Sequence, residues 1–89
     1  MNDYQYVAWF RDAMFPDGDV DAEWCACFVI IADDQDSALR YGDELARDFA
    51  ERRDNETFLY SYIDVYVAWG KGGPTVRVGD RNADSIIGW

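Results

Sequence analysis

Along residues 58–69, FLYSYIDVYVAW, apolar side chains recur at every second position. Leu59, Ile63, Val65, Val67 and Trp69 form one set, broken only by Ser61; Phe58, Tyr60, Tyr62, Asp64, Tyr66 and Ala68 form the other. Period two is the signature of a strand with two different faces. The first set reads as a core face and the second as an aromatic, partly polar one. Residues 4–11, YQYVAWFR, alternate more roughly and predict a first strand. In residues 24–32, WCACFVIIA, both alternating sets are apolar, the pattern of a second strand covered on both sides. TVRVG at 75–79 predicts a short fourth strand, joined to the third as a hairpin through the turn GKGGP at 70–74.

Between the second and third strands the period changes to that of a helix. Ala38, Leu39, Gly42, Leu45, Ala46, Phe49 and Ala50 fall on one stripe. Asp33 or Asp34 is placed to cap the first turn, Asp36 suits the positive end of the helix dipole, and Arg52 and Arg53 suit the negative end. Asp43 with Arg47 and Asp48 with Arg52 are acid-first pairs four residues apart. Gly42 costs about 1 kcal/mol against alanine in helix propensity, which implies that the helix approaches the sheet closely there. The order strand, strand, helix, strand, strand predicts a single α+β domain over residues 1–89. It is a two-layer sandwich: a mainly antiparallel sheet of about four strands with one long helix on one face. A right-handed crossover is expected from the second strand to the third. The third strand can lie beside the first or the second, and a ferredoxin-like split arrangement is one option.

One helix covers only one face of such a sheet, so the tyrosine face needs another occupant. Three candidates follow: the apolar tail with Ile86, Ile87 and Trp89 folded back across it, a second copy packed sheet to sheet, or a different protein. Asp64, in the middle of the tyrosine set, points to a wet face or a basic counterpart.

Charge narrows the partner. Eighteen acids against eight bases give a net charge of −10, with no histidine. Residues 1–23 hold six acids and one base and residues 33–56 nine acids and four bases, whereas residues 71–89 hold two acids and three bases. Such a chain repels phosphate backbones and anionic membranes and attracts basic proteins. Direct nucleic-acid binding and membrane association are therefore not expected.

Candidate chemistry is sparse. DGDVDAE at 17–23 places carboxylates at Asp17, Asp19, Asp21 and Glu23, in the manner of a calcium loop. Its sixth position is Ala22 where glycine is needed, and its twelfth is Phe28 where a bidentate glutamate is needed. It reads as a solvated acidic loop. Cys25 and Cys27 lack the further ligands that tetrahedral zinc requires and read as small apolar residues in a buried strand. Two such close cysteines form no disulfide framework, and MNDYQYVAWF lacks the basic and apolar regions of a signal peptide. KGGPTVRVG lacks the phosphate-loop order. No metal, cofactor or enzymatic activity is expected, and the location expected is cytoplasmic.

The functional expectation is a small acidic protein-interaction module, such as an inhibitor or immunity-type binder of a basic partner, in analogy of size and charge alone. Tyr60, Tyr62, Asp64 and Tyr66 would anchor the partner, with Asp17, Asp19, Asp21, Glu23 and the helix acids steering it. A homodimer is expected from the unpartnered sheet face. The alternative is a homodimeric ferredoxin-like domain binding a small apolar ligand.

Overall fold

A computed structural model describes residues 2–12, 22–53, 56–64 and 74–89. Four strands and two helices follow one another as β1 (Asn2–Asp12), β2 (Glu23–Ala32), α1 (Gln35–Arg52), β3 (Glu56–Asp64), β4 (Thr75–Arg77) and α2 (Ala83–Ile87). The fold is α+β, with α1 packed on one face of a single mixed sheet of order β3-β1-β2-β4. The central strand β1 runs antiparallel to both β2 and β3, so β2 and β3 are parallel with β1 between them, and α1 links them in a split crossover.

Pairing at the far edge differs from the expected hairpin. β4 lies parallel to β2, across the sheet from β3, with Val29↔Thr75, Ile30↔Val76 and Ile31↔Arg77 in register. The Val29 N–H donates to the Pro74 carbonyl (2.8 Å) and the Val78 N–H to that of Ile31 (3.2 Å). This arrangement occupies the outer edge of the apolar strand β2 and buries Val76 beside Ile30. A hairpin on β3 would leave that edge open to water and to other chains.

Tyr6, Ala8 and Phe10 of β1 and Phe28, Ile30 and Ala32 of β2 form the sheet side of the core. Helix α1 meets them with Ala38, Gly42, Ala46 and Phe49, all on the stripe read from the sequence. Asp34 is the N-cap, its Oδ1 accepting from the Ser37 N–H at 2.7 Å, and that bond holds its carboxyl below the ordinary aspartate range. The Asp48–Arg52 pair forms at 3.1 Å, an exposed contact of small value.

Gly42 is where the layers touch most closely. A Cβ at Gly42 would lie 2.4 Å from Tyr6 Cε1. The Tyr6 ring has no room to retreat, because it is fully buried and its hydroxyl donates to Asp43 Oδ1 at 2.8 Å. Ser61, the polar interruption in the apolar set read from the sequence of β3, donates its hydroxyl to the same oxygen. The carboxylate of α1 thus joins both β1 and β3, which accounts for the polar break in an otherwise apolar face.

Tyr60 and Phe58 do not share a face as plain alternation implies. Trp9 pairs with Tyr60 and Phe10 with Phe58, so Leu59 is the extra residue of a bulge. Phe58 therefore turns inward, its ring 5.7 Å from that of Phe10, while Leu59 is left 37% exposed. The expected core set keeps Ile63 and Ser61 inward but not Leu59. Val65, Val67 and Trp69, and the turn at 70–73, lie outside the described residues.

Two outcomes test this account. Gly42→Ala should lose up to about 2 kcal/mol in urea denaturation, because an overpacking cost of about 1–3 kcal/mol outweighs a helix-propensity gain of about 1 kcal/mol. Burial and the Asp43 carboxylate raise the Tyr6 hydroxyl above its ordinary value of 10.0. Above that value the unfolded chain releases a proton that the folded chain keeps. Stability should then be insensitive to Tyr6 below pH about 10 and fall above it by up to about 1.4 kcal/mol per pH unit. Tyr6→Phe, compared with the parent chain over pH 8–11, should remove that component of the slope.

Candidate functional site

The helix-free face of the sheet is assembled by register. Strands β3, β1 and β2 place Tyr60, Trp9 and Cys25 in one row, Tyr62, Val7 and Cys27 in the next, and Asp64, Gln5 and Val29 in the third. Because side chains alternate, all nine point away from α1. The rings of Trp9 and Tyr60 stack at 6.2 Å between centroids and those of Tyr60 and Tyr62 at 6.4 Å, forming a continuous aromatic ladder. Tyr60 is 53% and Tyr62 42% exposed.

The centre of this face is concave. Val7, small and only 5% exposed, is the floor of a depression of about 240 Å³. Trp9, Tyr62 and the two thiols flank it, with Gln5 and Asp64 toward one end. Trp9 Nε1 is sealed from solvent without a hydrogen-bond partner, an arrangement that costs about 1–3 kcal/mol. The other three tryptophans differ in setting. Trp24 donates to Glu56 Oε2 at 2.8 Å and Trp89 to Asp84 Oδ1 at 3.0 Å, while Trp69 lies outside the described residues.

Cys25 and Cys27 are free and exposed, which corrects the expectation that they are buried in a two-sided strand. Only the set Trp24, Ala26, Phe28 and Ile30 packs toward the helix. Partial desolvation pushes the Cys27 thiol up to about 11, assisted by the neighbouring Cys25 and by the Asp64 carboxylate. Cys27 is therefore a protonated thiol at neutral pH and a poor nucleophile. No group of three or more His, Cys, Asp or Glu side chains is arranged to hold a metal ion among the described residues.

The apolar tail does not cover this face. Helix α2 and Trp89 dock instead on the opposite side of the sheet, beside α1. The Trp89 ring stacks on Phe49 at 4.6 Å and meets Phe28 and Phe10 edge-on at 5.5 and 5.9 Å. Arg52 reaches Asp84 at 3.0 Å and Arg53 Nη2 donates to the Trp89 backbone oxygen at 3.4 Å, fastening the tail to the end of α1. Five rings (Phe10, Trp24, Phe28, Phe49 and Trp89) thereby form one aromatic cluster, in which the three phenylalanines are buried.

Of the residues expected to bind a partner, Tyr60, Tyr62 and Asp64 share the helix-free face. Glu23 joins them at its end, across from Arg11 in register. Tyr66, Asp17, Asp19 and Asp21 lie outside the described residues. Of the helix acids, Asp43 is turned to the sheet and Asp48 is paired with Arg52. Val7 and Gln5 are not marked out by the sequence pattern; the register with β3 is what brings them, with Trp9, beside the tyrosines. No helix among the described residues is long and apolar enough to cross a membrane. Comparison with protein-family models, curated proteins and solved structures finds no match, so the reading of this face rests on its geometry.

The docking of the tail gives a direct test. Trp89→Ala should lower stability by about 2–4 kcal/mol, near the lower end for aromatic truncation because the ring is only partly buried. The solution mass of the folded fraction, measured by light scattering, should be unchanged, because the ring packs away from the open face.

Proposed function

We propose that this chain is a small protein-interaction module that docks a basic protein partner on the helix-free face of its sheet, in the manner of an inhibitor or immunity-type binder. The observation that carries the reading is the ladder Trp9–Tyr60–Tyr62, with both tyrosines exposed, on a face that the apolar tail leaves uncovered. Tyrosine and tryptophan are the side chains that supply most contact area for least lost conformational freedom, and they dominate interface energetics. A net charge of −10 adds attraction for a basic partner and accelerates its encounter. The reading is one of binding without catalysis, in the cytoplasm, where exposed thiols such as Cys25 and Cys27 stay reduced.

A second copy is the competing occupant. It is favoured by the half-buried Val29 and Ile31, which extend the apolar area of the face along β2, and opposed by the repulsion of two chains of −10. The ligand-binding alternative is weaker. A depression of about 240 Å³ is smaller than the roughly 300–1,000 Å³ of small-molecule sites.

Light scattering over a range of concentrations separates the first two. The docking reading expects the 10.3 kDa monomer, and a dimer that Tyr62→Asp converts to a folded monomer would assign the face to a second copy. For a captured basic protein, the association rate should fall about tenfold or more between low and high salt. Tyr62→Asp should weaken the complex by about 2 kcal/mol or more. A salt-independent rate, or a folded Tyr62→Asp chain that binds equally well, contradicts the proposal.

A further inference from the structure

The depression at the centre of the face has a shape and a chemistry of its own. Its floor, Val7, lies between the Tyr62 ring on β3 and the Cys27 thiol on β2, with the Trp9 ring next along β1, so its middle is apolar. One end is different: Asp64 and Gln5 are directly paired there, and both side chains offer oxygen acceptors. Asp64 lines the depression together with Cys27, a residue of β2 on the far side of β1. Volume then decides the kind of occupant. About 240 Å³ is below the range of drug-sized ligand sites and is enough for one long side chain.

We infer that this depression seats an arginine side chain of the partner, its stem over Val7 and its guanidinium between the Tyr62 ring and the acceptors of Gln5 and Asp64. The inference rests on the docking reading above and names its anchor. Three features select arginine. A flat aromatic face beside a carboxylate suits a planar cation, which stacks and donates in a fork, better than the compact ammonium of lysine. The apolar middle of the site suits a methylene stem, which long basic side chains bury along hydrophobic surface. The net charge of −10 disfavours an acidic occupant. Acceptance by Asp64 needs only one lone-pair direction of the several that a carboxylate offers.

The probe is N-acetyl-arginine amide, titrated into the intact chain and followed by NMR. Its control is N-acetyl-citrulline amide, nearly the same shape without the charge. Saturable shifts are expected at Gln5, Val7, Tyr62 and the Trp9 indole N–H. The citrulline compound should bind about tenfold more weakly, reflecting lost charge-assisted hydrogen bonds. Asp64→Asn should make the two compounds equivalent, and Val7→Leu, which raises the floor and leaves the charge alone, should weaken both. Equal binding of the two compounds by the parent chain, or shifts confined to exposed helix acids such as Glu44 and Glu51, overturns the inference. A captured basic partner separates this failure from that of the docking reading. Capture that survives Asp64→Asn and Val7→Leu but is lost with Tyr60→Asp removes the arginine seat alone, whereas capture unaffected by all three removes the docking face.

Discussion

The structure depends on the closeness of α1 to β1 at Gly42. With no Cβ at that position, the flat ring of Tyr6 lies directly beneath the helix backbone, and its hydroxyl emerges beside Asp43. That carboxylate accepts from Tyr6 and from Ser61 at the same oxygen, so three elements distant in the chain are tied at one atom. A carboxylate brought this near a sheet is tolerated because its donors come with it. The approach also sets the height of the helix over the sheet, leaving at the far end of α1 the space that Phe49, Trp24 and Trp89 fill.

The two faces of the sheet follow from that arrangement. On the helix side, aromatic rings from both central strands, α1 and the tail close around one another, and the last apolar residues of the described chain are used there. They are consequently not spent on the other side. What remains outside is a row of stacked rings around a small hollow, with a carboxylate and an amide at one end. That combination of apolar body and polar rim resembles the core and edge of an interface more than a solvated surface.

The sequence reveals the layers and the helix well and the lateral order of the strands poorly. The stripe Ala38, Gly42, Ala46 and Phe49 is readable because a packed helix repeats its buried residues at a fixed angle, and a glycine in mid-helix signals close approach by its position alone. Strand neighbours have no such local signature. That β1 is central, and that β4 joins β2 in parallel, depend on which edge gains most from being covered, a comparison among all strands at once. Tyr60, Tyr62 and Asp64 are readable as one outward set, whereas Trp9, Val7 and Gln5 acquire their role only from register. The cysteines mislead for a related reason. Apolar residues on both sets of a strand imply two covers, but here the thiols lie at an open surface. The tail misleads as well, because its apolar residues fix that it docks and not where.

Leu59 stands outside the alternation of β3. In β3 the bulge places Phe58 under the helix and Tyr60 on the opposite side, although the two are an even number of residues apart. Loss of Leu59 would restore plain alternation with both rings still on their present sides, Phe58 inward and Tyr60 outward. Loss of a residue between Tyr60 and Asp64 would instead put the two halves of the outward set on opposite faces. The strand thus contains one position where a change in chain length is neutral to the identity of both surfaces. In the segment just beyond it, the same change would break the ladder apart.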